Sequence, residues 1–474
     1  MAAERFRTEK DSMGEMRVPE DCLYGASTQR AVENFPVSGI RFSRSFIHAI
    51  GSIKAAAART NRDLGLLEAP QAEAIERASR EVAEGKHDGH FVLDIFQTGS
   101  GTSTNMNANE VIANLAAVAL GGKIGDRSKV HPNDHVNFGQ SSNDVIPTAI
   151  HVAALLGLRR RLVPALRALH ESLAAKARSL ADVVKTGRTH LMDATPVTLG
   201  QEFGGYARQV ENCIARIEAT YERLGELAIG GTAVGTGINT HVQFARKVCE
   251  ELARTLDCPF REAKDHFEAQ SAKDACVEAS GALKTLAVAL IKIANDIRWL
   301  ASGPRCGLGE ISLPATQPGS SIMPGKINPV ICESVLQVAA QTIGNDAAVT
   351  LGGLYGNFEL NVMMPLIARN LLESIEILAG VSRIFKEKCI DGIQPNRAQC
   401  ESTIERGLML STSFAPVIGY DQAAALAKEA YQSGKTIREV ALSKKVLPPE
   451  KIAEILDPKK MLRPGEIQKG MPMG

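Results

Sequence analysis

From Phe203 onward, apolar side chains fall at Phe203, Ala207, Val210, Ile214, Ile217, Tyr221, Leu224 and Ala228, in alternating steps of four and three. Only a helix keeps such positions on one face, so the spacing predicts a long helix with an apolar seam. A second seam runs through Cys276, Ala279, Leu283, Leu286, Leu290, Ile293, Ile297 and Leu300. A third, looser one runs through Leu162, Leu166, Leu169, Leu173, Leu180 and Val184. Further helical stretches cover about 330–351 and 362–385, which makes five long helices between about 143 and 388 with no convincing period-two pattern among them. Seams of that length pack at shallow angles as a bundle. The expected class is therefore all-α: a three-domain chain whose centre is a long five-helix bundle.

Several of these helices, 283–297 for instance, carry apolar residues around most of their circumference and need neighbours on several sides. One five-helix bundle does not supply enough of them, so the bundle is expected to form the core of a tetramer. The expected boundaries are a mixed, mainly helical domain over 1–138, the central bundle over 139–397, and a small helical domain over 398–474. Gln71–Gly85 is an expected short helix of the first and Asp421–Ser433 of the last, where Pro416, Gly419, Gly434, Pro448, Pro449, Pro458 and Pro464 break the chain.

Net charge narrows the function. The 54 basic and 53 acidic residues leave +1, which offers no bulk attraction to nucleic acid or an acidic membrane surface. One Trp and 4% aromatics argue against stacking platforms for single-stranded nucleic acid. The longest charge-free stretch, Leu227 to Ala245, holds four Gly, three Thr, Asn239, His241 and Gln243, so it would insert poorly into a bilayer. The first residues, MAAERFRTEKDS, lack the apolar core of a secretion signal, and Glu4, Glu9 and Asp11 do not suit a transit peptide. Nine Cys without a C-x-x-C pair read as buried, reduced thiols of a cytoplasmic protein.

Polar, glycine-bearing stretches interrupt the helices. Gln97–Asn105 (QTGSGTSTN) and Met106–Glu110 crowd hydroxyls and amides ahead of an apolar helical run, Val111 to Leu120, and backbone N–H groups with hydroxyls at a helix start bind carboxylate or phosphate. His131–Asn137 (HPNDHVN) leads into Gly139–Asp144 (GQSSND). His131 and His135 have i,i+4 spacing, but Pro132 and Asn133 do not suit a helix interior and the Glu of H-E-x-x-H is missing, so zinc is not expected. Ser141, Ser142 and Asn143 instead form a second cluster of neutral donors. Gly319–Pro329 (GSSIMPGKINP) has five residues between its glycines and Ile327 where a phosphate loop carries its hydroxyl, so it is not a nucleotide loop. Lys326 and Asn328 can hold a carboxylate as it gains charge, and a serine can take a proton if its alkoxide is stabilised. In Gly187–Pro196 (GRTHLMDATP), His190 sits in a polar turn between long helices, and Glu333 could orient it if the fold brings them together.

These four stretches together resemble the aspartase/fumarase superfamily, and class II fumarase specifically, over nearly the whole chain from GEMRVPEDCLYGASTQRAVENF at 14–35 onward. GSSIMPGKINP marks the superfamily. His190 within GRTH, and Ser141-Ser142-Asn143-Asp144, favour fumarase over aspartase. Met192 departs from the Gln common there, and His135 replaces an acidic residue of many bacterial members.

The resemblance implies reversible trans-elimination of (S)-malate to fumarate and water through an aci-carboxylate, without metal or organic cofactor. It implies Ser320 as the C3 base, although either adjacent serine fits by residue type. It places Ser321, Lys326 and Asn328 on the substrate, and His190, oriented by Glu333, on the leaving hydroxyl. It assigns Ser100, Thr102, Ser141, Ser142, Asn143 and Thr189 to the carboxylates, and His131, Asn133 and Asp134 to a second anion site. It further implies a homotetramer with three chains meeting at each site. Aspartate ammonia-lyase is the alternative. A non-catalytic scaffold is disfavoured because Ser320, Lys326, Asn328, His190 and Glu333 are all present.

Overall fold

The second seam folds as one helix, Asp274–Leu300, in which Cys276, Leu283, Leu286, Leu290, Ile293 and Ile297 are fully buried. Each such aliphatic side chain contributes about 1.5–3 kcal/mol by leaving water. The stretches expected near 330–351 and 362–385 are the helices Val330–Gly353 and Met364–Lys388. The computed structural model describes residues 5–465. They are predominantly helical, with only short two-stranded sheets. Among them no helix is long and apolar enough to cross a membrane.

The other two seams are shorter than their spacing predicts. The helix Leu199–Glu218 ends before Tyr221; Tyr221 and Leu224 belong to a separate short turn of helix, Tyr221–Leu224, and Ala228 follows a short strand, Glu226–Leu227. The helix Val163–Ser179 stops before Val184, which opens a strand instead. Burial, which helix and strand share, produced the apolar spacing in both tails.

By internal packing the chain divides into two units. The first comprises residues 1–164, 213–287 and 338–380, and the second comprises 165–212, 288–337 and 381–474. In the first, Arg44–Asp63 and Ala69–Ala83 pack together, burying Phe46, Ile50, Ile53, Ile75 and Val82. An antiparallel hairpin, Phe6–Asp11 with Gly14–Pro19, precedes them in the stretch expected to be mixed and mainly helical. The helix Ala26–Asn34 has no cap of its own; the backbone N–H groups of Gly25, Ser27 and Thr28 donate to the buried Glu110 carboxylate at 2.9–3.1 Å. Glu110, the last residue of the first polar stretch, thus serves the fold by capping.

In the second unit, Val184–Thr189 and Met192–Thr198 form an antiparallel hairpin where a loop was expected. The helices Tyr420–Ser433, Ile437–Ser443 and Pro449–Ile455 close over Phe414, Leu426, Val440 and Leu456. Seven of the nine free thiols are buried as expected, but Cys22 is half-buried and Cys306 is exposed on a Gly/Pro loop.

Candidate active site

Each unit carries one cluster of the expected residues. In the first unit the helix after the GSGT stretch begins at Thr102, not near Val111, because its opening turns are polar and hide the start. Gly101, at its N-cap, takes a left-handed φ of 72°, and a Cβ there would lie 3.0 Å from Ile146. The next helix, Ser142–Gly157, starts beside it. Ser100 Oγ lies 2.6 Å from Thr102 Oγ1, and Thr102 Oγ1 lies 2.7 Å from Ser142 Oγ. Thr102 and Ser142 are the first residues of their helices, so two helix N-termini and a chain of three hydroxyls converge. Free N–H groups and the positive ends of two helix dipoles favour an anion there.

The neighbours of that chain are structural. The Ser141 hydroxyl caps the second helix, accepting from Asn143 N at 3.2 Å, and Asp144 completes the capping box by accepting from Ser141 N at 2.9 Å. Asp144 also accepts from the N–H groups of Gly230 and Thr232 at 2.9 and 3.0 Å. Asn143 donates to Ala233 O at 2.8 Å. Residues Pro132–Val136 form a π-helical turn despite Pro132 and Asn133. His131 Nδ1 accepts from the N–H groups of Asn133 and Asp134, and His135 Nδ1 accepts from His131 N, so both imidazoles serve the turn through one nitrogen. Asn133 and Asp134 are exposed beside it.

The second unit holds the rest. His190 and Leu191 are the two turn residues of the hairpin, with φ of 56° and 62°. Two-residue turns of this hand normally use Asn-Gly, because a Cβ disfavours left-handed φ. The strain holds the imidazole out at the tip, where it is exposed along with Thr189. Leu191→Gly is expected to raise the unfolding free energy by about 0.5–1 kcal/mol, read as a higher urea midpoint, from the left-handed penalty less glycine's larger chain entropy. Leu191 is 67% exposed, so little packing is lost, and a lowered midpoint would show that the turn is not strained.

The Gly319–Pro329 loop closes on itself. Gly319 N donates to Lys326 O at 2.8 Å, and Asn328 Nδ2 donates to Gly319 O at 2.5 Å. Ser320 Oγ accepts from the backbone N–H groups of Met323 at 3.0 Å and Ile322 at 3.3 Å. Lys326 is exposed, and with Asn328, Arg298 and Trp299 it lines a cavity of about 600 Å³. Ile322, Met323 and Ile327 stand out in water at 84%, 49% and 48% exposure. Glu333 lies half-buried in the first turn of Val330–Gly353. Among the described residues, neither the His190 ring nor the Glu333 carboxylate has a hydrogen-bond partner, so the chain does not join these two.

A family profile described as "Lyase" matches residues 14–344, and one described as "Fumarase C C-terminus" matches 410–463. A class II fumarate hydratase of Corynebacterium glutamicum is 56% identical over 455 residues, covering 96% of this chain and 95% of that protein. The chain belongs to the class II fumarate hydratase family. A Nitrosomonas europaea member is 52% identical over 97% of this chain and 99% of its own length. The crystal structure of class II fumarase from Schistosoma mansoni superimposes with a TM-score of 0.95 at 40% identity, covering 96% of this chain and 99% of that one.

One residue behind the hydroxyl chain of this fumarate hydratase family member escaped the motif reading. Lys54, fully buried, donates to Asn137 Oδ1 at 2.8 Å and Gln140 Oε1 at 3.0 Å, and Asn105 Nδ2 shares that Asn137 oxygen at 3.1 Å. The available signal was a lysine inside the apolar face of Ile50–Ala58. Loss of water lowers its ammonium to about 7 from an ordinary 10.5, against the attraction of Asp144. Between those values the unfolded chain keeps a proton the folded chain has shed, so stability rises with pH across that window, and the burial penalty is full below it. Lys54→Met is expected to remove that rise, up to ~1.4 kcal/mol per pH unit. Urea midpoints of both proteins at about pH 7 and about pH 9 test this, and an unchanged slope in the variant would contradict it.

Proposed function

We propose that the chain interconverts (S)-malate and fumarate by trans-elimination of water through an aci-carboxylate, with Ser320 as the base at C3. The carrying observation is the pair of backbone N–H groups on Ser320 Oγ, from Ile322 and Met323. Those donors stabilise an alkoxide, which is what a serine needs to take a carbon-bound proton at neutral pH. Among the described residues no N–H group donates to the Ser321 hydroxyl, which supports the first of the adjacent serines.

In the forward direction the C3–H bond breaks toward the Ser320 oxygen. The electron pair moves onto the neighbouring carboxylate, which Lys326, Asn328 and Ser321 hold as it gains charge. The C2–O bond then breaks, and a proton from His190, oriented by Glu333, leaves with the hydroxyl as water. Ser100, Thr102, Ser142, Asn143 and Thr189 bind the carboxylates, with Ser141 completing the donor set while capping its helix. His131, Asn133 and Asp134 form a second, peripheral anion site.

The working form is a homotetramer around the bundle of 139–397, with sites shared between chains. Support comes from apolar side chains left in water on the long helices, Val288 at 54%, Trp299 at 53% and Leu351 at 57% exposure. The unpartnered His190 and Glu333 are what a site completed by other chains would leave. Fumarate absorbance from malate and from aspartate tests the reaction. Malate is expected to be the better substrate, and a higher rate on aspartate would assign the chain to ammonia elimination.

A further inference from the structure

The hairpin that presents His190 is fastened at its base by a buried cluster of charges that the reaction above does not use. Glu310 is fully buried, and both its oxygens are taken. Arg188 grips it with two N–H···O bonds at 2.7 and 3.1 Å, and Lys185 Nζ lies 3.3 Å from Oε2. Lys185, also fully buried, donates to Glu202 Oε1 at 2.9 Å. The backbone of Glu310 is fixed as well: its N–H donates to Leu300 O at 2.9 Å, and its carbonyl accepts from Asn396 N at 2.8 Å.

Lys185 and Arg188 are three apart in one strand, a spacing that puts side chains on opposite faces. The register breaks between them: Thr186 pairs with Pro196 but Arg188 with Asp193, so the facing strand carries one extra residue, the regular alternation is interrupted there, and both side chains reach one carboxylate. Gly187 sits opposite that irregularity, where a Cβ would lie 2.5 Å from Thr195 O. Beyond Arg188 only the Thr189–Met192 pair precedes the strained turn at His190 and Leu191. The direction in which the imidazole leaves the hairpin is therefore set by the guanidinium two residues before it.

We propose that Glu310 is a positioning residue for the reaction, acting through Arg188 to fix the His190 imidazole. The proposal rests on the reading of His190 as the proton donor to the leaving hydroxyl. Glu310 touches no substrate in this account. It removes the rocking freedom of a narrow two-stranded arm whose tip must hold a proton in place, and misplacement of about 1 Å in such a group costs up to about 100-fold in rate.

The test is a double-mutant cycle on malate with wild type, Glu310→Gln, His190→Asn and the double variant, at enzyme concentrations high enough to read residual turnover. Glu310→Gln is expected to lower kcat by about 10–100-fold with KM within about twofold, and far-ultraviolet circular dichroism is expected to be unchanged. In the His190→Asn background the same change is expected to cost less than about twofold, because the group it positions is gone. Multiplied losses in the double variant, or wild-type kcat in Glu310→Gln, would overturn the proposal. Full activity in His190→Asn would instead remove the reading on which it rests. If Glu310→Gln does not fold, Arg188→Lys replaces it in the cycle, since it keeps the buried charge balanced and loses only the two-pronged grip. The same pattern of losses is expected.

Discussion

Ser320→Ala is expected to lower malate turnover by about 10²–10⁴-fold, the range that one positioned acid–base group contributes, while helical content and dicarboxylate binding persist. The change removes one oxygen from a loop whose closure rests elsewhere, on the Gly319 N–H to Lys326 O bond and on Asn328 Nδ2 to Gly319 O. The Ile322 and Met323 N–H groups lose their acceptor but face an exposed segment, where water replaces it. Lys326→Ala is expected to raise KM as well as lower kcat, because its charge acts on the substrate carboxylate before and during the transition state. Steady-state kinetics with circular dichroism as a control separates these outcomes. An inactive Ser321→Ala beside an active Ser320→Ala would exchange the two serine roles.

Mixing two impaired variants is expected to restore activity. Ser320→Ala and His190→Asn chains, dissociated together and reassembled, give sites in which each residue is intact with probability of about one half. About a quarter of the sites then recover if the two residues of one site come from different chains. If both came from one chain, no hybrid site could be whole and turnover would stay at the level of the separate variants. The experiment needs proof of exchange, for which mass spectrometry of the mixed assemblies suffices. Proven exchange without recovery would place Ser320 and His190 of one site in the same chain.

How much of this was legible depended on the length over which a signal repeats. The Asp274–Leu300 helix was readable because seven turns of consistent spacing leave one solution. The hairpin at 184–198 was not: its turn uses His-Leu where the usual marker is Asn-Gly, and its strands are too short for alternation to show. The start of the helix at Thr102 was hidden for a related reason, since the turn that gathers the hydroxyls is polar. In the site, residue types were legible and their pairing was not. Nothing in SSIMPGK says which serine receives the loop's N–H groups; that follows from the backbone bending over Ser320 so that the N–H groups of Ile322 and Met323 face its hydroxyl. Lys54 lay outside every motif, 83 residues from its Asn137 partner, and only the fold joins them.

The loop that carries Ser320 ends its outward face in Ile322, Met323 and Ile327, all turned to water. A newly made chain therefore shows an apolar surface at the place its proposed chemistry depends on. Assembly and quality control compete for that surface: a partner that covers it yields enzyme, and a chaperone or another unfolded chain that reaches it first yields a client or an aggregate. In the proposed shared-site tetramer, dilution of finished enzyme is expected to silence activity before any helix melts. On that proposal, abundance in the cell is itself part of what makes the catalyst.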